Sequence, residues 1–120
     1  MAETEELKTI SAEELTLPAM QIIMKAGDAR NIMAEAVNEA KKGHFEVADL
    51  KALDAKECIR EAHVLHTQII SKEAAGEIRI IPTLLFNHAQ DTLMTINTEV
   101  NLYLDMIDLL KMIYKGANNG

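Results

Sequence analysis

The sequence predicts an all-α subunit, an antiparallel three-helix bundle that associates with further copies through its third helix. Three observations carry this. Apolar residues make up 48 % of the 120 residues but aromatics only 3 %, with seven Met and no Trp. That is an aliphatic core suited to packed helices. Only Pro18 and Pro82 interrupt the chain, which leaves room for long helices. Apolar residues recur at steps of three and four through most of its length.

The expected organisation is an acidic flexible segment over residues 1–15, a three-helix domain over 16–116 and a flexible tail over 117–120. Ser11 and Glu14 have capping-box spacing, but Pro18 follows closely. Thr16 is therefore the expected N-cap, with Pro18 in the first turn where its missing donor matters least. Ile22, Ala26, Ala29, Met33, Ala36 and Ala40 form the stripe of helix one. Lys41 and Lys42 suit its last turn, and Gly43 ends it. Gly27 sits mid-helix at a cost of about 1 kcal/mol relative to Ala, and close helix packing is its expected reason. Helix two starts near Phe45, with the stripe Val47, Leu50, Ala55, Cys58 or Ile59, Ala62, Leu65 and Ile69, and stops at Gly76. Residues 77–82 are expected to pack extended through Ile78, Ile80 and Ile81, and Thr83 to cap helix three.

Helix three has the sharpest pattern. Leu85, Ala89, Leu93, Ile96, Val100, Tyr103, Ile107, Leu110 and Tyr114 form a heptad seam sustained for about four heptads. A second file runs beside it: Leu84, His88, Asp91, Thr95, Thr98, Leu102, Met106, Leu109 and Ile113. This file is polar in its first half and apolar in its second. A helix with two usable faces wants two neighbours: the bundle for one, another subunit for the other.

Charge and cysteine content narrow the function. The formal charge is −7, with no basic stripe, and the isoelectric point is near 5.0. Nucleic acid and anionic membrane are poor partners for such a chain. No stretch approaches the roughly 20 apolar residues of a membrane span, and Met1 to Glu14 is acidic without the apolar stretch of a signal peptide, so a cytoplasmic location is expected. Cys58 is the single cysteine, so no internal disulfide forms and no zinc-site spacing exists. Without a phosphate-binding glycine loop the chain is not expected to bind nucleotide.

Candidate chemistry centres on His88-Ala89-Gln90-Asp91. His88 and Asp91, three residues apart, share a helical face. A neutral imidazole is a nucleophile near neutral pH, and close to a helix amino end it would hold a transferred phosphoryl group in a favourable field. The alternative is an interface histidine satisfied by its neighbours. If the polar file faces a threefold axis, three Asp91 carboxylates converge. At about 4 Å and a dielectric near 20 each pair repels by roughly 4 kcal/mol, so they must bind a cation, share protons or stay apart. The alternative is a solvated Asp paired with a Lys or Arg. His63 and His66 are three apart but lack a third ligand, and read as core or interface histidines. His44 is expected to be exposed, and Cys58 to be packing rather than a nucleophile.

Several short motifs in order resemble the IIA component of the lactose/cellobiose (chitobiose) family of the sugar phosphotransferase system. They are Ala26-Gly27-Asp28-Ala29-Arg30, Lys42-Gly43-His44-Phe45 with Ala48-Asp49, and Glu61-Ala62-His63 with Thr67. Glu73-Ala74-Ala75-Gly76-Glu77 and His88-Ala89-Gln90-Asp91 with Leu93-Met94 complete the set. The motifs run from Ala26 to Met94, and the resemblance covers roughly residues 17–115. The resemblance implies three-helix subunits that trimerise into a nine-helix bundle. It implies that His88 takes a phosphoryl group from the phosphocarrier HPr and passes it to a cysteine of the cognate IIB, with Gln90 near the phosphoryl group. It implies Asp91 from three subunits on the trimer axis around one divalent cation, expected to be magnesium. One position departs from the pattern: the family usually has a second histidine directly after the aspartate, where this chain has Thr92. Thr92 keeps open a second reading, a non-catalytic regulatory or scaffold trimer, and a third is a generic metal-binding bundle. His66 stands where the family commonly has glutamine. Ala89 is like the cellobiose/chitobiose branch and residues 27–30 like the lactose branch, so the sugar stays unassigned.

Overall fold

The computed structural model describes residues 7–119. Its elements are β1 (Lys8–Ile10), α1 (Ala12–Lys41), α2 (Phe45–Ala74), β2 (Ile78–Ile80) and α3 (Leu84–Asn119). The three helices form the expected all-α bundle. α1 packs along both of the others. α2 runs against α1, while α1 and α3 run the same way, each following one strand of a small parallel sheet.

Both interhelical stops form as the glycines predict. After α1, the Gly43 amide donates to the Ala40 carbonyl and the His44 amide to the Glu39 carbonyl. After α2, Gly76 and Glu77 donate to Glu73 and Lys72 in the same pattern. Gly43 and Gly76 have φ near +80°, the left-handed conformation this C-cap needs. At Gly43 there is a second constraint, because an added Cβ would lie 2.9 Å from the Tyr114 ring. That ring also meets Phe45 edge-on at 5.4 Å, so the far part of α3 is clasped to the α1–α2 turn.

The start of α1 differs from expectation. Ser11, not Thr16, is the N-cap: its Oγ accepts from the Glu14 amide, and Glu14 Oε1 accepts from the Ser11 amide, both at 3.1 Å. Pro18 therefore lies inside the helix, in its second turn. It removes the bond to the Glu14 carbonyl, on an exposed residue that water can serve. Burial of Leu15 and Ala19 on either side of it and the reciprocal cap offset that loss.

Within the segment expected to be flexible over 1–15, Lys8–Ile10 form β1 and α1 begins at Ala12, and residues 1–6 lie outside the described range. Lys8, Thr9 and Ile10 pair in parallel with Ile78, Arg79 and Ile80, so the connector is extended as expected and finds a backbone partner. The tail expected over 117–120 continues α3 through Asn119, and residue 120 is outside the described range.

The core is alanine-rich. Ala26, Ala29, Ala36, Ala40, Ala48, Ala52 and Ala55 pack with Met33, Ile96, Val100 and Ile107, while Leu15, Ile22, Ala62, Phe86, Ala89 and Leu93 form a second cluster nearer the sheet. Small side chains let the helices approach closely. This shifts the inner stripe of α2 to Ala48 and Ala52, and the expected Val47 and Leu50 are exposed. An added Cβ at Gly27 would meet nothing within 4 Å, so contacts within the subunit do not require glycine there.

Candidate functional site

Thr83 caps α3 as its position predicts. Its Oγ1 accepts from the Phe86 amide at 3.0 Å, and its carbonyl from the Asn87 amide. His88 is thus the fifth helical residue. The Phe86 and Asn87 amides of the first turn are already served, and the field of the helix end has largely fallen off by that point. His88 is exposed, and among the described residues its ring makes no hydrogen bond. Asp91 is exposed one turn on and takes part in no ion pair among the described residues.

Every member of the second α3 file is exposed: Leu84, His88, Asp91, Thr95, Thr98, Leu102, Met106, Leu109 and Ile113. The heptad seam behind it is buried at Ala89, Leu93, Ile96, Val100 and Ile107. The subunit therefore leaves one face of α3 uncovered, carrying an imidazole, a carboxylate and two hydroxyls at one end and four apolar side chains at the other.

Gln90 does not join His88. At about 100° per residue the two lie on opposite sides of α3. Gln90 faces α2, half-buried, where its Oε1 is 2.7 Å from His66 Nε2. The His66 ring stacks on Phe86, centroids 6.0 Å apart and planes at 18°. Beside them a cleft of about 120 Å³ is lined by Glu73, Pro82, Phe86, Asn87 and Gln90. Spacing could have signalled this separation, since residues two apart never share a helical face. Thr92 is half-buried.

The other polar candidates resolve simply. His63 is exposed and does not combine with His66. Among the described residues no three His, Cys, Asp or Glu side chains gather within one chain. His44 is exposed, with Nδ1 3.0 Å from Glu39. That contact is the main reason the Glu39 carboxyl is held below its ordinary range. The half-buried Cys58 thiol is pushed up, first by burial and then by Asp28, which disfavours the reactive thiolate. Arg30 forks onto Glu99, with Nε 2.9 Å from Oε1. Lys25–Glu61 and Lys111–Asp49, at 3.0 and 2.9 Å, tie the remaining helix pairs.

A profile of the family described as PTS system, lactose/cellobiose specific IIA subunit, matches residues 18–111. The chain belongs to this family. It is 38 % identical over 106 residues to the PTS system lactose-specific EIIA component of Lactococcus lactis, covering 88 % of this chain and 96 % of that protein. Among solved structures it superposes on the PTS cellobiose-specific enzyme IIA of Bacillus anthracis with a TM-score of 0.78 and 37 % identity, covering 88 % of this chain and 94 % of the other. It also matches the IIA(chitobiose)–HPr complex of the Escherichia coli N,N'-diacetylchitobiose branch, with a TM-score of 0.73 and 31 % identity over 86 % of this chain and 99 % of that one. As an IIA component, this chain carries its exposed His88 on the uncovered face of α3. No helix among the described residues is long and apolar enough to cross a membrane.

Proposed function

We propose that this IIA component is a phosphocarrier. His88 accepts a phosphoryl group from phospho-HPr and passes it to a cysteine of the cognate IIB during uptake of a lactose-, cellobiose- or chitobiose-type sugar. The observation that carries the reading is the exposed His88, its ring unengaged among the described residues, in a family with a solved IIA–HPr complex. The unprotonated ring nitrogen attacks phosphorus in line as the nitrogen–phosphorus bond to the donor histidine breaks. The thiolate of IIB later repeats the displacement on His88. Neither step needs water or a change of oxidation state, so positioning supplies most of the rate.

The working unit in this reading is a cytoplasmic homotrimer. Leu102, Met106, Leu109 and Ile113 present an apolar stripe that another copy would cover. In a cyclic trimer with this face on the axis, one flank of each α3 meets the opposite flank of the next. His88 and Gln90 lie on opposite sides of Asp91, by about 60° and 100° respectively. Gln90 would therefore serve the phosphoryl group on a neighbouring copy's His88. Asp91 fits a hard divalent cation such as magnesium, because three exposed carboxylates on an axis supply oxygen donors and need their charge neutralised. Bound there, the cation would relieve the mutual repulsion of the three Asp91 side chains.

Substituting His88 by Ala tests the reading. The variant should keep helix content and assembly mass yet take no phosphoryl group from phospho-HPr and deliver none to IIB. Loss of the fold would show His88 to be structural, and a wild-type chain that assembles without accepting phosphoryl would favour a scaffold trimer, with Thr92 as its mark.

A further inference from the structure

The His66–Gln90 hydrogen bond joins α2 to the residue that, in the phosphocarrier reading, meets the phosphoryl group. We infer that His66 is a positioning residue, which fixes the Gln90 amide with its oxygen held inward and its two N–H donors turned outward. The inference rests on that reading and names a residue on a different helix from the acceptor histidine.

A phosphoryl oxygen only accepts hydrogen bonds, so the useful end of Gln90 is its NH₂ group. The terminal torsion of a free glutamine is broad and presents either end. Here Oε1 lies 2.7 Å from His66 Nε2. An amide oxygen cannot donate, so Nε2 carries the proton and the NH₂ is the end left available.

His66 is itself held. Its ring stacks on Phe86, which is 3 % exposed and whose amide is bonded to the Thr83 cap. A relay therefore runs from the cap of α3 through Phe86 and His66 to Gln90. The adjoining cleft is lined in part by Phe86, Asn87 and Gln90. His66 and Gln90 are both half-buried, where such a bond is stronger than at a solvated surface.

Single-turnover phosphoryl transfer from phospho-HPr to the full chain tests the inference, with His66→Phe and His66→Gln beside wild type. His66→Phe keeps a ring over Phe86 and loses the donor, whereas His66→Gln supplies another N–H. The saturating transfer rate should fall about tenfold in His66→Phe, short of the 10²–10³ that deleting a donor outright costs. The KM for phospho-HPr and the thermal midpoint should not move, and His66→Gln should restore most of the rate. Gln90→Leu should be slow as well, and the double variant with His66→Phe no slower.

Wild-type speed in His66→Phe beside a slow Gln90→Leu would overturn the inference. So would a rate loss that tracks a lowered midpoint and is not rescued by His66→Gln. Nitrogen NMR gives an arm independent of transfer: a His66 ring protonated on Nδ1 alone would overturn the positioning role and leave the phosphocarrier reading standing. A wild-type chain that accepts no phosphoryl would overturn that reading, and this inference with it.

Discussion

Replacing Leu109 by Lys on the uncovered face of α3 should convert the assembly into monomers. In the single chain Leu102, Met106, Leu109 and Ile113 are 58, 42, 56 and 66 % exposed. Complete burial of such a side chain is worth about 1.5–3 kcal/mol, so covering the exposed half contributes about 1 kcal/mol each, or about 12 kcal/mol over three chains. Bringing three chains together is two associations, each costing about 4–15 kcal/mol, so the stripe leaves at best a small margin. Leu109→Lys removes about 1 kcal/mol from each chain. It also brings three ammonium groups toward one axis, where each pair about 8 Å apart at a dielectric near 20 repels by about 2 kcal/mol. The total, about 9 kcal/mol, consumes most of the gain. Light scattering after size exclusion reads the outcome. Wild type should run at three times 13.3 kDa, about 40 kDa, and the variant at 13.3 kDa. A wild-type monomer at micromolar concentration, or a variant that stays at 40 kDa, would refute the reasoning.

Other expectations follow from the same geometry. Gly27→Ala should raise the stability of the subunit by about 1 kcal/mol, because no described residue meets the new methyl; a lowered melting midpoint would show this flank of α1 pressed against another copy. The Glu14 carboxyl is held below its ordinary value of 4.5, first by the Ser11 amide and then by the Ser11 hydroxyl. Its contribution is therefore complete above pH 4.5 and is lost as pH falls through the lower folded value. Melting midpoints of Glu14→Gln should fall less than wild type between pH 6 and pH 3, and parallel curves would contradict the cap's role. Asp91→Leu should eliminate metal binding while leaving helix content intact, because the apolar half of the α3 file is untouched. Stoichiometric metal retained in that variant would exclude Asp91 as a ligand.

Much of this fold is legible in sequence because its signals are local. Gly43, Gly76 and Thr83 end or begin helices through bonds to residues within five positions, and the α3 seam declares itself by period alone. What was not legible depends on distant partners. β1 is three residues long and is defined by pairing with Ile78–Ile80, far along the chain. Pro18 close behind the Ser11–Glu14 capping box points to a later helix start, although the reciprocal cap and two buried neighbours carry the helix through it. On α2 the larger Val47 and Leu50 suggested the inner stripe, but close helix approach selects Ala48 and Ala52. At the site, the shared face of His88 and Asp91 follows from their spacing. The contact of His66 with Gln90 joins residues 24 positions apart, and its only hint was a histidine standing where the family commonly has glutamine.

The measurement that tests the central claim most directly is the intact mass of the chain after incubation with enzyme I, HPr and phosphoenolpyruvate. The account predicts one acid-labile phosphoryl group per wild-type chain and none on His88→Ala. No phosphoryl on wild type while HPr itself is phosphorylated, or an equal load on both chains, would contradict it.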